Sequence, residues 1–292
     1  MKCSKFPYLV LTPLLAILCT FTVLPIIGSF VIAFMDYNPL RAQGNSFVGL
    51  SNFARFFSDE LFAKSLGNTL YFVVVMTVTN IVITLLIAQL LSALSSNKWR
   101  SLFRVLFFMP CVAPLAAVSI VWMRSILPIK GGLLNMVLTQ LGLAPVNWLG
   151  SAGMIMPSIM ILTQWADLGY NIILFIAGIQ GIPDTYYEAA EIDGAGPIRR
   201  FFAITLPLLN KTFSFVFIMT LISEFQAFAQ FSIVAKDGGP GRAGYVLSTY
   251  IYNTGFANKD LGYASALSVA LFLIIMAVTL IQRRLGRVDW GY

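Results

Sequence analysis

The sequence predicts an all-α membrane protein with six transmembrane helices, and three observations lead to this fold class. Hydrophobic residues make up 58% of the 292 residues, and the mean hydropathy is +0.83. Charged residues make up only 11%, whereas a soluble domain carries about 25%. Long stretches without any charge recur along the chain, and a helix needs about 20 apolar residues to cross the hydrocarbon core.

The uncharged stretches locate the predicted helices within one transmembrane domain over residues 1–292. The predicted spans are roughly 10–35, 66–95, 105–124, 154–180, 207–234 and 262–282. Gly and Pro interrupt the stretch 131–153, which is therefore predicted as a short interfacial helix and a loop. Pro110 and Pro114 remove backbone hydrogen bonds from the third span, where they either shape a cavity or form an ordinary kink.

The first span is interpreted as a retained anchor. Lys2 and Lys5 resemble the positively charged start of a signal peptide. However, the uncharged stretch of 30 residues, 6–35, is longer than the apolar region of a signal peptide, and no A-x-A cleavage site follows.

Lys and Arg predict the orientation. With a cytoplasmic amino terminus, the inside segments carry 11 Lys and Arg in 56 residues, and the outside segments carry 8 in 87. We therefore expect both termini in the cytoplasm. The net charge of +7 is assigned to the cytoplasmic membrane face, and no nucleic acid is expected as a partner.

Composition and motifs exclude several classes of site. The chain has no His, and its three Cys are scattered, so neither a metal site nor a disulfide framework is expected. No G-x-S-x-G is present, and no catalytic residue is assigned. The segment Gly238–Arg242 lacks the Lys of a phosphate-binding loop and is predicted to be a turn.

The connection 181–209 is the most informative segment. It predicts a two-turn helix from Tyr186 to Asp193 that begins after Pro183 and ends at Gly194 in the left-handed conformation. Four acidic residues make this helix unsuited to an anionic lipid surface, where Lys and Arg are usual. Because Ala189 and Ala190 allow close approach, the helix is interpreted as a docking element for another protein.

The same connection resembles a family motif. Glu188-Ala189-Ala190, three residues, Gly194, nine residues, Ile204, one residue and Leu206-Pro207 form the EAA loop of ABC-importer permeases. The chain is most similar to the first permease subunit of carbohydrate-uptake importers of the maltose, lactose and glycerol-3-phosphate type. Supporting similarities are spread along the chain at Phe47–Phe53, Asn68–Leu70, Met109–Pro110, Gly132–Asn135, Trp148–Gly150, Gly238–Pro240 and Gly262–Ala266.

This resemblance implies an assembly in a bacterial inner membrane. The expected partners are a second homologous permease, two cytoplasmic ATP-binding subunits, an external solute-binding protein and the lipid bilayer. ATP and Mg would be bound by the ATP-binding subunits, so this chain is not expected to be an enzyme or to bind a cofactor. The residues implied in ATPase coupling are Tyr187, Glu188, Ala189, Ala190, Asp193 and Gly194.

Asp167 and Glu224 are the acids within the predicted spans, and such residues are functional candidates. Amides, acids and aromatic rings around them suit a sugar, although they can instead hydrogen-bond between helices. The candidate substrate path comprises Thr163, Trp165, Asp167, Asn171, Glu224, Phe225, Gln226 and Gln230. Similarity to the maltose-type subunit implies sugar contacts at Thr163, Ala166, Asp167, Leu221, Phe225 and Gln230.

The leading hypothesis is a permease subunit that forms half of the path of an ATP-driven sugar importer. One alternative is the same machinery carrying a phosphorylated polyol such as glycerol 3-phosphate. An anionic substrate would favour a cation in the path, so Asp167 and Glu224 favour a neutral carbohydrate. Another alternative is a proton-coupled secondary transporter, which would not need the docking loop.

Overall fold

The chain folds almost entirely into helices in a computed structural model that describes residues 6–41 and 44–285. The α-helices are α1 Phe6–Leu18, α2 Leu24–Ile32, α3 Ser51–Ala54, α4 Glu60–Ser92, α5 Asn97–Val112, α6 Leu115–Val121, α7 Leu133–Gln140, α8 Ile155–Gln180, α9 Asp184–Ile192, α10 Pro197–Arg200, α11 Leu206–Leu208, α12 Asn210–Phe225, α13 Ala229–Val234, α14 Leu247–Tyr252 and α15 Leu261–Leu285. Short π-helical turns lie at Cys19–Val23, Trp122–Ile126, Phe201–Thr205 and Asn253–Ala257, and 3₁₀ turns at Arg55–Phe57, Lys236–Gly238 and Pro240–Arg242.

A small strand pair adds to the predicted all-α fold. Strand β1, Met35–Asp36, pairs antiparallel with strand β2, Ser46–Phe47. Asn52 stabilises the end of this pair, because its side-chain amide donates to the carbonyl oxygens of Ala33 and Met35 at 3.0 and 2.9 Å.

Five helical segments in the described part of the chain are long and apolar enough to cross a membrane. They are Val10–Ile32, Glu60–Ser92, Ile155–Gln180, Asn210–Val234 and Leu261–Arg284. Each coincides with one of the predicted spans, and by length and composition each is a candidate for crossing a membrane.

The third predicted span, 105–124, is not one straight helix. The structure has α5 and the segment Leu115–Ile126 in its place, bent by 93° at the break between them. The cause is Pro114, which precedes α6 and forces Ala113 into an extended conformation with ψ 137°. An interruption was expected here from the two prolines, and the number of spans is six only if this bent pair counts as one.

The stretch 131–153 forms α7 and a loop, as predicted. With eight residues, α7 is too short to cross a bilayer. Asn135 holds the loop, since its side chain accepts from the backbone N–H of Val146 at 2.8 Å and donates to the carbonyls of Val146 and Pro128.

The chain divides into two compact units. One combines the chain up to Ala63 with Tyr250–Ile274, and the other combines Lys64–Thr249 with the chain from Ile275. The prediction of a single transmembrane domain stays a prediction.

The first unit carries a hydrogen-bonded cluster at the start of two long helices, which we call the clasp: Arg55, Asp59, Tyr250, Asp260 and Tyr263. Asp59 caps α4 by accepting from the N–H groups of residues 61 and 62, and Asp260 caps α15 by accepting from the N–H of Tyr263. The hydroxyls of Tyr250 and Tyr263 both donate to Asp59, and Arg55 forms an ion pair with Asp260 at 2.8 Å.

The second unit contains two hydrophobic clusters. One surrounds Phe72, Ile159 and Phe231, which are buried where α4, α8 and α13 meet. The other surrounds Phe175 and Val216 on α8 and α12 and extends to the residues around α9. Both clusters pack against α8, which is consequently the central helix of this unit.

Candidate functional site

The connection 181–209, which we call the docking loop, contains the short helix that its sequence predicts. Helix α9 starts two residues earlier than expected, directly after Pro183, and ends at Gly194 with φ +72°. The N–H of Gly194 donates to the carbonyl of Glu191 at 3.0 Å, and the N–H of Ala195 donates to that of Ala190 at 2.8 Å. This pair of bonds is a Schellman motif, so the predicted left-handed glycine at the helix end is confirmed.

Tyr187 attaches this helix to the helices that follow it. Its side chain packs against the hydrophobic cluster around Phe175, and its hydroxyl lies 3.0 Å from the hydroxyl of Thr205. Arg200 donates to Glu191 at 3.0 Å, but an ion pair this exposed stabilises little. The loop is therefore positioned chiefly by the buried part of Tyr187.

The opposite side of the loop is exposed. Among the candidate coupling residues, Glu188, Ala189, Asp193 and Gly194 are exposed, and Ala190 is half-buried. Ile192 is 87% exposed and Ile198 75%, although both are large apolar side chains. Large apolar side chains exposed to this extent are the pattern expected of a protein-docking surface.

A cavity of about 400 Å³ lies between α4, α5, α8 and α12, and several of the residues that line it are polar; we call it the first cavity. It contains three of the predicted path residues, Asp167, Asn171 and Glu224. The other residues that line it are Asn80, Phe108, Cys111, Tyr170, Met219, Thr220 and Ser223.

A second cavity of about 390 Å³ adjoins the first and shares Asp167, Ser223 and Glu224 with it. Gln226 and Gln230 also line this second cavity, so the structure brings five of the eight predicted path residues together. The two acids stand where the cavities meet. Among the described residues that line either cavity, none is Lys or Arg.

Two interruptions of helical structure shape these cavities. The 93° bend places Phe108 and Cys111 of α5 on the first cavity and Leu115 of α6 on the second. The gap between α12 and α13 puts residues 226–228 on the second cavity, where the hydroxyl of Ser248 donates to the freed carbonyl of Ala227. Irregular backbone of this kind is tolerated at membrane depth where it lines a cavity.

The acids in these cavities have no partner within the part of the chain that is described. No hydrogen bond or ion pair joins the carboxylate of Asp167 or that of Glu224 to another described group, although Glu224 is 3% exposed. The side-chain oxygen of Gln230 is buried and likewise unpaired in that region. Buried polar groups without partners are rare in proteins, so these atoms are candidates for binding a ligand.

Three predicted path residues lie outside both cavities. Thr163 and Phe225 are buried in the helix packing, and the Thr163 hydroxyl finds no partner among the described groups. Trp165 is 45% exposed and packs against Trp122 with ring centroids 5.7 Å apart. The predicted substrate set is thus divided between the cavities, the packing and the outer surface.

Sequence reasoning missed Asn80 and Thr220, which line the first cavity. Asn171 donates to Asn80 at 2.7 Å and to Thr220 at 2.9 Å, and so connects three helices. An asparagine in the uncharged stretch 66–95 was a usable signal, because a polar amide is costly in an apolar span. Thr220 gave no such signal, since threonine is common within membrane helices.

Gly169 was also missed, and it determines how closely α5 approaches α8. A Cβ at this position would lie 2.2 Å from the carbonyl oxygen of Phe107 and 2.6 Å from the Cα of Phe108. Only glycine permits this crossing, which brings Phe108 and Cys111 to the same cavity as Asp167.

A family model for the inner membrane component of binding-protein-dependent transport systems matches residues 80–287. The chain belongs to this family. The match includes both cavities and the docking loop, so the site described above lies within the family's shared region.

Relatives of this inner membrane component match over almost its whole length. A probable ABC transporter permease protein, YurN of Bacillus subtilis (strain 168), is 36% identical, over 95% of this chain and 94% of the relative. The arabinooligosaccharides transport system permease protein AraP of the same strain is 32% identical, over 96% and 88%. The sn-glycerol-3-phosphate transport system permease protein UgpA of Yersinia pestis bv. Antiqua (strain Antiqua) is 33% identical, over 97% and 94%.

The fold of this permease also matches a solved structure, a bacterial alginate ABC transporter in complex with an alginate-pentasaccharide-bound periplasmic protein. The TM-score is 0.85 at 23% identity, over 97% of this chain and 94% of the matched chain. The predicted ABC-importer permease fold is therefore confirmed.

Proposed function

We propose that this permease carries a neutral sugar or oligosaccharide and that its two joined cavities form half of the translocation path. The observation that carries the proposal is the composition of the cavity walls: two carboxylates without partners among the described residues, the amide of Gln230, and Tyr170. Carboxylates and amides match sugar hydroxyls, and an aromatic ring can cover the apolar side of a sugar.

A phosphorylated polyol is the second candidate, supported by the 33% identity to the sn-glycerol-3-phosphate permease. The cavities disfavour it, because a phosphate would lie near Asp167 and Glu224 without a cation among the described lining residues. The similarity to the arabinooligosaccharide permease supports the neutral cargo.

Uptake by the complete transporter tests this proposal. Proteoliposomes would contain this permease, its partner permease and the ATP-binding subunits, with the binding protein added outside. We expect ATP-dependent uptake of a neutral oligosaccharide that persists when a protonophore removes the proton gradient. Uptake of glycerol 3-phosphate in preference to every neutral sugar would favour the second candidate, and uptake driven by protons without ATP would favour a secondary transporter.

We also propose that the exposed side of the docking loop couples this chain to an ATP-binding subunit that holds ATP and Mg. Support comes from the exposed Ile192 and Ile198, the exposed acid Glu188 and the glycine-terminated helix. In this arrangement Ala189 and Ala190 permit close contact, and Asp193 and Gly194 shape the end of the docked helix.

The coupling role is tested by Gly194→Val with Gly196→Val as the matched control. At both glycines the position that a Cβ would occupy has no atom of the described chain within 4 Å, but φ is +72° at Gly194 and −68° at Gly196. We expect Gly194→Val to remain in the membrane, lose the ATP-binding subunit in a pull-down and abolish uptake. Equal retention of that subunit in the two variants would contradict the proposal.

The proposed topology has both termini in the cytoplasm and the docking loop on the same side. Cysteine placed at Ala195 should resist labelling by an impermeant reagent added outside, whereas cysteine at Leu50 should react. Labelling of Ala195 from outside would reverse the orientation.

A further inference from the structure

Asn80 is a fully buried polar residue on α4 that bonds to Asn171 on α8, and Asn171 bonds in turn to α12. Its side-chain oxygen accepts from the amide nitrogen of Asn171 on α8 at 2.7 Å. The same nitrogen donates to the hydroxyl of Thr220 on α12 at 2.9 Å. We call Asn80, Asn171 and Thr220 the polar bridge.

The register of the helices relates this bridge to the two acids. Asp167 lies four residues before Asn171, and Glu224 lies four residues after Thr220. Residues four apart in a helix are neighbours on one face. Each acid is therefore one helical turn from a bridge residue, and all five side chains line the first cavity.

Helix packing alone does not account for an asparagine at this position. The second polar atom of its side chain, Nδ2, is buried and has no partner among the described residues. An unsatisfied buried donor is unfavourable, and an apolar residue of similar volume would avoid it. Thr84, one turn further along α4, shows the contrast, because its hydroxyl bonds to the carbonyls of its own helix at 2.7 and 3.3 Å.

We propose that Asn80 is a positioning residue that holds α8 and α12 at the spacing where Asp167 and Glu224 both reach one bound sugar. This inference rests on the proposed function, in which the two acids contact the cargo. Asn80 acts through Asn171 and Thr220, so its loss changes the distance between the acids and leaves their chemistry unchanged.

The test is Asn80→Leu, which keeps the volume and removes the acceptor. In the reconstituted transporter we expect the KM for sugar uptake to rise roughly tenfold, as for the loss of one buried hydrogen bond that acts on binding. The maximal rate per assembled transporter should change less than about twofold. Thr84→Val is the control, since its hydroxyl bonds only within α4, and its KM should equal that of the unaltered chain.

A second measurement, made in a chain that already lacks both acids, separates a positioning role from general damage to the transporter. In the Asp167→Asn/Glu224→Gln chain, Asn80→Leu should raise KM by less than about twofold, because the groups that it positions no longer bind as carboxylates. An equal rise in both backgrounds would overturn the proposal, and so would an unchanged KM. If Asn80→Leu does not assemble, Asn80→Ser, whose hydroxyl is too short to reach Asn171, is measured in the same way.

Failure of this inference is distinguishable from failure of the proposed function. If the unaltered transporter takes up no neutral sugar, the proposed function is wrong. If it takes up sugar and Asn80→Leu leaves KM unchanged, only the positioning role is wrong.

Discussion

The clasp and the cavities each contain two acids, but the acids differ in what satisfies them. In the clasp, Asp59 accepts four hydrogen bonds, and Asp260 accepts one from a backbone N–H and pairs with Arg55. In the cavities, the carboxylates of Asp167 and Glu224 have no such partner among the described residues. Acids whose bonds are satisfied within the chain stabilise the fold, whereas acids left without partners are available to a ligand.

The same comparison extends to aromatic residues. In the clasp the guanidinium of Arg55 lies 3.9 Å from the ring centroid of Tyr263, so that ring is occupied by a cation of the same chain. In the first cavity Tyr170 is 49% exposed. About half of Tyr170 is thus accessible, and the residue lines the cavity that we propose as part of the substrate path.

The largest expected effect is on uptake when both unpartnered acids are neutralised. Asp167→Asn/Glu224→Gln should reduce sugar uptake about a hundredfold, because two hydrogen bonds to charged groups are weakened. The thermal stability of the purified permease should not fall, since no hydrogen bond or ion pair among the described residues is lost. Uptake in proteoliposomes and thermal unfolding in detergent measure the two quantities, and a loss of stability with normal uptake would break the comparison.

Gly169→Ala should have the next largest effect, on packing. The added methyl group meets backbone atoms of Phe107 and Phe108, so α5 and α8 must separate, and the free energy of unfolding should fall by about 1–3 kcal/mol. Uptake should fall as well because the first cavity changes shape. Gly67→Ala is the control: this glycine of α4 has open space around it, and alanine there should be neutral or stabilising. Equal unfolding temperatures for the two variants would contradict the close crossing.

Asp59→Asn should lower stability and leave uptake unchanged, which is the reverse of the result expected for Asp167→Asn/Glu224→Gln. The amide cannot accept the same four hydrogen bonds, so the free energy of unfolding should fall by about 1–2 kcal/mol while the KM for sugar stays unchanged. Thermal unfolding and uptake of this variant, measured beside the double cavity variant, sharpen the comparison. A raised KM with normal stability would assign the clasp to substrate binding.

The smallest expected effect is a pH dependence of the clasp. Burial raises the pKa of Asp59, but the hydrogen bonds from Tyr250, Tyr263 and two backbone N–H groups outweigh it and hold this pKa below its ordinary value of 3.8. The stabilisation is therefore complete above that value and is lost as the pH falls through the lower pKa of the folded state. Unfolding temperatures recorded from about pH 6 down to about pH 3 should decline more steeply for the unaltered chain than for Asp59→Asn. Parallel curves would show that Asp59 does not carry this dependence.

Much of the fold was predictable because it depends on local properties of the chain. Hydropathy predicted the five long apolar helices, and Gly194 and Pro183 marked the ends of α9, since backbone conformation at such residues is decided within a few positions. Pro114 predicts an interruption of the third span but not its 93° angle, because the angle depends on what the two helices pack against.

The sequence could predict which types of residue form the candidate site, but not which of them lie together in the structure. An acid within an apolar span is visible in the sequence, which is why Asp167 and Glu224 can be identified without the structure. Thr163 and Trp165 are close to Asp167 in sequence, yet they lie outside the cavities because the direction of a side chain depends on its position around the helix. Asn80 and Glu224 lie on different helices far apart in the sequence, and no spacing rule connects positions so distant.

By itself, the sequence determined that this chain has several apolar helices long enough to cross a membrane, that it carries an acidic helix ended by a glycine, and that two acids lie within its predicted spans. These follow from composition, local backbone preference and the cost of charge in hydrocarbon. The tertiary structure alone decided which acids are satisfied and which are left open. Whether a carboxylate has partners depends on side chains brought together from distant parts of the chain: Tyr250 and Tyr263 reach Asp59, while no described group bonds to Asp167.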